Sequence, residues 1–142
     1  MNNTDLYGAD ILLWAEHQAD ALRRRASNEI DWENVAEEIE DVGRNQLRAV
    51  ASHLVQALLH DLKAEAWPLA RDVAHWRAEA RGHRDDAREA YSPSMKDRPE
   101  LQVDRLYRRA LRRMPDTNDG EEPLPVPDAC PVTLDELLAP DA

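Results

Sequence analysis

Between Glu29 and Asp41 the chain carries seven acidic residues and no basic one, and from there to Trp67 it runs on as a long helix with an apolar stripe. Val35, Ile39 and Val42 share one face. A rotation of about 100° per residue brings Gln46, Ala49, His53, Ala57, His60, Ala64 and Trp67 close to that face, and Leu47, Leu54, Leu58 and Leu62 widen it on one side. Asp31 stands where an N-cap is expected, and Glu33, Glu37 and Glu38 load the first two turns with charge that the positive end of a helix favours. Unbroken from Asp31 to Ala66, the helix is about 54 Å long at 1.5 Å per residue, against about 30 Å for a 20-residue neighbour. Such a length demands a kink at Gly43, different packing partners for its two parts, or a second subunit.

The other segments are shorter. Tyr7, Ile11, Trp14, Gln18, Ala21 and Leu22 recur at spacings of three and four and predict an amphipathic helix over 5–26, whose C-terminal end Arg23, Arg24 and Arg25 complement. Trp67 and Pro68 are expected to reverse the chain. Leu69, Val73, Trp76, Ala80, His83, Ala87 and Tyr91 then mark one face of a third helix ending near Ala90. Residues 92–99 read as a turn. A fourth helix over 100–114 turns Leu101, Leu106, Tyr107, Ala110 and Leu111 inward and Arg105, Arg108, Arg109, Arg112 and Arg113 outward. Residues 115–132 hold five prolines and predict an extended strap, after which Thr133 and Glu136 form a capping box for a last turn ending near Leu138. The sum is an all-α helical bundle of four main helices, one unusually long, with a Pro-rich C-terminal strap and a short last helix. It reads as a single domain over 1–142, with a helical core to 115 and an acidic, Pro-rich segment from 116.

Charge is segregated. Of the net −11, residues 116–142 contribute eight acidic groups without a Lys or Arg. Whole-chain acidity argues against non-specific nucleic-acid binding, while the arginines of the fourth helix leave room for a local basic face. The first eight residues lack the basic start and apolar core of a secretory signal, and no stretch approaches the roughly 20 apolar residues of a membrane helix. A single cysteine, Cys130, agrees with a reducing compartment, so a cytoplasmic protein is expected.

In order along the chain stand Asp10 with Trp14, Gln18 and Leu22; NVAEEIEDVG from Asn34 to Gly43; Leu54, Leu58, Leu59, His60, Leu62 and Lys63; Trp76 with Arg77; Ser92 to Ser94; Tyr107 with Ala110; and CPVTLDELL from Cys130 to Leu138. This series resembles the bacterial domain-of-unknown-function family twenty-nine over nearly the full length. The resemblance implies a compact all-helical domain and implies no activity. Residues 64–72 depart from the family pattern, where a more aromatic and basic stretch is expected.

No nucleophile motif, phosphate loop or metal-spaced ligand set accompanies these segments, and Cys130 lies between Ala129 and Pro131 without a catalytic setting. Glu37 and Glu38 each lie about one turn from Asp41, but di-metal bundles need Glu-x-x-His pairs on two helices, and the helix rise puts Glu38 about 33 Å from His60. These acids therefore read as a solvated or partner-binding face. A reversal near Trp67 and Pro68 pairs positions that sum to about 135 or 136, so that His53 faces His83 and His60 faces His75 or Trp76. No cofactor is expected. If a metal or an acid-base site exists, it uses His53, His60 and His83, with Glu79 one turn before His83.

Lys63, Arg71 and Arg77 beside Trp67 and Trp76 offer an anion site or a set of charged groups lying over core aromatics. The expected role is an interaction or regulatory module rather than an enzyme. Its binding surface draws on Glu37, Glu38, Asp41, Lys63, Arg77, Arg105 and Arg109, with a protein partner or a second copy paired through the long helix. Membrane and nucleic acid are not expected as partners. The runners-up are a metal-assisted or acid-base enzyme at the histidines and nucleic-acid binding through the fourth helix, whose arginines otherwise match the acidic tail internally.

Overall fold

A computed structural model describes residues 2–141 and is all-helical, without a named strand among those residues. Six α-helices are present among the described residues: α1 (Asn3–Ala9), α2 (Ile11–Arg23), α3 (Trp32–Ala66), α4 (Val73–Ala90), α5 (Val103–Arg112) and α6 (Leu134–Leu138). The chain divides into two compact units between Arg44 and Asn45, and α3 contributes to both. No helix among the described residues is long and apolar enough to cross a membrane.

In the N-terminal unit, the expected single helix over 5–26 is two. Asp10 ends α1 and caps α2, its carboxylate accepting from the Leu13 N–H at 3.0 Å, and this competing local bond breaks the apolar run. Asn2 and Asp5 form a reciprocal capping box at the start of α1. Trp14, Gln18 and Ala21 are buried as expected, whereas Ile11 and Leu22 are exposed. α2 closes in a Schellman arrangement. Ala26 N–H donates to the Ala21 carbonyl and Arg25 N–H to that of Leu22, with Arg25 in the left-handed region at φ 60°.

The buried Gln18 binds the turn before α3 with both ends of its amide. Its Nε2 donates to the Glu29 carbonyl at 3.3 Å, and its Oε1 accepts from the Asp31 N–H at 2.7 Å. Asp31 stands at the N-cap position of α3, its carbonyl accepting from the Val35 N–H at 2.9 Å, while its carboxylate is not given to the first-turn amides. Its carboxylate accepts instead from the Trp14 indole and the Asn34 amide, which tie α2 to the start of α3.

In the C-terminal unit, Val50, Leu54, Val55, Leu58 and Leu62 of α3 meet Ala87 of α4, Leu106, Tyr107 and Ala110 of α5, and Leu137 of α6 in one core. α4 runs antiparallel to α3. Gln46 donates to the Ala90 carbonyl at one end, and Arg77 reaches Asp61 nearer the other. The reversal is wider than the Trp67–Pro68 step expected. α4 begins only at Val73, and Leu69, expected on its inner face, is 98% exposed. Trp67 turns inward against Trp76, so the intervening residues form a looser turn around it.

The fourth helix is also shorter than expected, with a 3₁₀ turn over Pro99–Leu101 and α5 starting at Val103. The strap between α5 and α6 is anchored rather than free. Leu124 N–H donates to the Ala66 carbonyl at the end of α3, the Trp67 indole donates to Glu121, and the Tyr107 hydroxyl donates to Pro127. A tight turn over Asn118–Glu121, with Asp119 and Gly120 both at positive φ, makes the strap's one local bridge among the described residues. Thr133 and Glu136 form the expected capping box. Arg88 of α4 holds the end of α6 by donating to the carbonyls of Leu138 and Ala139.

Candidate functional site

The stretch of α3 that faces α4 alternates small and imidazole side chains. Ala57 on α3 and Ala80 and Ala87 on α4 are fully buried, which lets the two helices approach closely. Between these alanines stand His53 and His60, one helical repeat of seven apart, and on α4 Glu79, His83 and Asp86 within two turns. The Nδ1 atoms of His53 and His83 are 3.1 Å apart. The His60 ring stacks on that of His83, with centroids 5.8 Å apart and planes 6° from parallel. Glu79 lies 3.9 Å from His83 Nε2.

Two groups of three donors converge here, His53 with His83 and Asp86, and His60 with Glu79 and His83, each within 4.8 Å. His83 belongs to both. His60 Nδ1 is buried without a hydrogen-bond partner, and burial, followed by the charge of Lys63, holds the His60 pKa below the usual imidazole value.

The expected pairing of His53 with His83 holds, but His60 meets His83 rather than His75 or Trp76. The register is as expected, since Gln46 with Ala90 and His53 with His83 both sum to 136, and the His83 ring lies between the two α3 histidines and reaches both. Asp86 escaped the sequence reading. Its spacing of three from His83, one helical turn, was the available signal.

The remaining candidates are placed as follows. Arg44 bridges Glu37, Glu40 and Asp41, and the Tyr7 hydroxyl donates to Glu38, a bond that pushes the tyrosine pKa up to about 12. Those carboxylates are thus partnered locally. Arg77 and Arg84 both grip Asp61, at 2.7 and 2.9 Å, so the Arg77 charge is matched within the chain. The tryptophans expected beside them, Trp67 and Trp76, are buried against each other.

On α5 and at its C-cap, Arg105, Arg108, Arg112 and Arg113 are exposed, Arg109 is partly so, and none of the five forms an ion pair among the described residues. The expected internal match with the acidic tail is not made. Asp135 and Asp141 of the tail turn instead to Lys96 and Arg84. Burial raises the pKa of Cys130, whose thiol donates to the Val132 carbonyl, so it is a packed thiol rather than a nucleophile.

One surface feature was not foreseen. Ile39 and Val42, expected to face inward, are 66% and 71% exposed, and Trp32 is 58% exposed. With Ala36 and Gly43, also exposed, they form an open apolar stripe on the first turns of α3, with Glu33, Glu37 and Glu40 exposed beside it.

These features define an all-helical protein with one unusually long helix. The chain belongs to the DUF29 family, a domain of unknown function, which it matches over residues 6–142. Among solved structures it is similar to an alpha-helical protein of unknown function from Rhodospirillum rubrum, with 28% identity, a TM-score of 0.64, and coverage of 93% of this chain and 88% of that one. No curated protein matches it.

Proposed function

We propose that the chain is a helical interaction module, and that the start of α3 receives a basic amphipathic helix from a partner protein in the cytoplasm. The observation that carries this reading is the stripe of Trp32, Ala36, Ile39 and Val42, spaced as one helix face and open to solvent. Apolar side chains clustered in this way are seldom left in water unless something covers them. The chemistry of the occupant follows from the surroundings. Residues 1–44 hold eleven acidic and four basic residues, and Glu33, Glu37 and Glu40 border the stripe. A helix with its own apolar face and flanking Lys or Arg satisfies both features at once. The single thiol, Cys130, without a disulfide partner in the chain, agrees with a cytoplasmic setting.

The test uses two labelled helical peptides, one built of leucine and lysine and one of leucine and glutamate, followed by fluorescence anisotropy with the full chain. The lysine peptide is expected to bind, to weaken as salt rises, and to lose at least tenfold in affinity to the double variant Ile39→Ser with Val42→Ser. Equal binding of both peptides, or no effect of the double variant, overturns the reading. So does a concentration-dependent dimer that the same double variant dissolves, because the face then belongs to a second copy.

A further inference from the structure

We propose that His53, His83 and Asp86 form a site for one divalent transition-metal ion between α3 and α4, with Glu79 orienting His83. Bonds of about 2.0–2.1 Å to a tetrahedral ion set neighbouring donor atoms about 3.3 Å apart. The two Nδ1 atoms stand 3.1 Å apart, so a small outward adjustment admits the ion. Asp86 lies one turn beyond His83 on the same helix, and one of its carboxylate oxygens lies within 4.8 Å of a ring nitrogen of each histidine.

The shared position of His83 decides between the two possible donor groups. A neutral imidazole offers one lone pair and one N–H. With Nδ1 turned to His53, Nε2 carries the hydrogen, and Glu79 lies on that side at 3.9 Å. A carboxylate behind the free ring nitrogen is the usual support of a ligating histidine. In the alternative group the His60 and His83 rings lie 6° from parallel. Their in-plane lone pairs therefore run side by side instead of converging. His60 then serves as a stacking wall that holds the plane of His83.

Two nitrogens and one carboxylate suit zinc, cobalt or nickel better than magnesium or calcium, which prefer oxygen. Three protein donors leave one position for water. Asp86 is exposed, so that position opens to solvent. The bland account of the same contact is an N–H···N hydrogen bond between His53 and His83. That account predicts no metal and assigns no role to Asp86.

Metal-stripped full-length chain titrated calorimetrically with zinc is expected to take up one ion per chain, and cobalt to give the visible bands of a four-coordinate site. His53→Gln and His83→Gln should each weaken zinc at least a hundredfold and Asp86→Asn at least tenfold. Glu79→Gln should cost about 10- to 100-fold without changing the stoichiometry, as loss of a supporting carboxylate does. Circular dichroism shows that each variant is folded. For a variant that is not, imidazole nitrogen resonances of the wild type are followed during zinc addition. Movement of His53 and His83 supports the site. No saturable binding, affinity unchanged by His83→Gln, or resonance shifts confined to His17 and His75 overturns it.

Discussion

The open stripe on α3 makes a quantitative claim about two residues of one helix. Leu54 is fully buried, whereas Ile39, four turns earlier, is 66% exposed. Truncating Leu54 to Ala removes buried methyl groups from the C-terminal unit and leaves a cavity, at a cost of roughly 3–4 kcal/mol. In a unit of this size that lowers Tm by roughly 12–32 °C, at about 4–8 °C per kcal/mol. Truncating Ile39 to Ala forfeits about a third of a full side-chain burial, roughly 0.5–1 kcal/mol. It regains up to about 0.5 kcal/mol, because Ala is the better helix former. The net cost is about 0.5 kcal/mol or less. Urea titration followed by far-ultraviolet circular dichroism measures both. Because the chain has two compact units, tryptophan fluorescence is recorded in parallel to separate their transitions. A cost above about 2 kcal/mol for Ile39→Ala, at a protein concentration that keeps the chain monomeric, refutes the reading of this face as open.

Three further outcomes are expected. The His60 pKa is depressed in the folded chain, so the unfolded state binds the proton more readily. Stability is therefore full above the unfolded value near 6.5 and falls as pH drops through the lower folded value, and His60→Gln should flatten that slope in urea titrations between pH 7 and 4. Tyr107→Phe removes the hydroxyl that donates to the Pro127 carbonyl; it should cost about 1–2 kcal/mol and speed proteolytic cutting between residues 115 and 132, and unchanged cutting would show that the strap is held elsewhere. Arg25 occupies a left-handed position that glycine takes without strain, so Arg25→Gly should raise stability by up to about 1 kcal/mol in thermal melts of the same chain.

The helices were legible where local chemistry is undivided. The stripe Leu47, Leu54, Leu58 and Leu62 and the Thr133–Glu136 box act within one element, and the structure keeps each as expected. Boundaries failed where a side chain had two uses. Asp10 was read as a polar position in a running helix, yet its carboxylate caps the next one. Asp31 was read as a cap and its carbonyl does accept the first helical bond, yet one oxygen of its carboxylate is taken by the Trp14 indole and the Asn34 side chain.

The histidine pairing was legible because antiparallel helices constrain it strongly. The contact of His60 with His83 was not, since one side chain on α4 lies between two positions seven apart on α3, and position sums alone do not say which of them a ring leans toward. Ile39 and Val42 mislead for a different reason. Periodicity shows that a face is apolar, and it is silent on whether the same chain covers that face.

The bonds that tie residues near 66 to residues near 124 also set an order of events. The N-terminal unit is held by contacts such as Gln18 with Asp31 and Tyr7 with Glu38, which lie within 31 residues of each other. It can therefore assemble while the chain is still being made. The C-terminal unit waits longer, because the Trp67 indole needs Glu121, 54 residues on, and Arg88 needs the carbonyls of Leu138 and Ala139, 50 and 51 residues on. Until residues 121–124 are in place, the end of the long helix and its buried tryptophan lack these contacts. The long separation of these contacts gives the C-terminal unit a larger share of non-local pairing than the N-terminal one, and so a later closure.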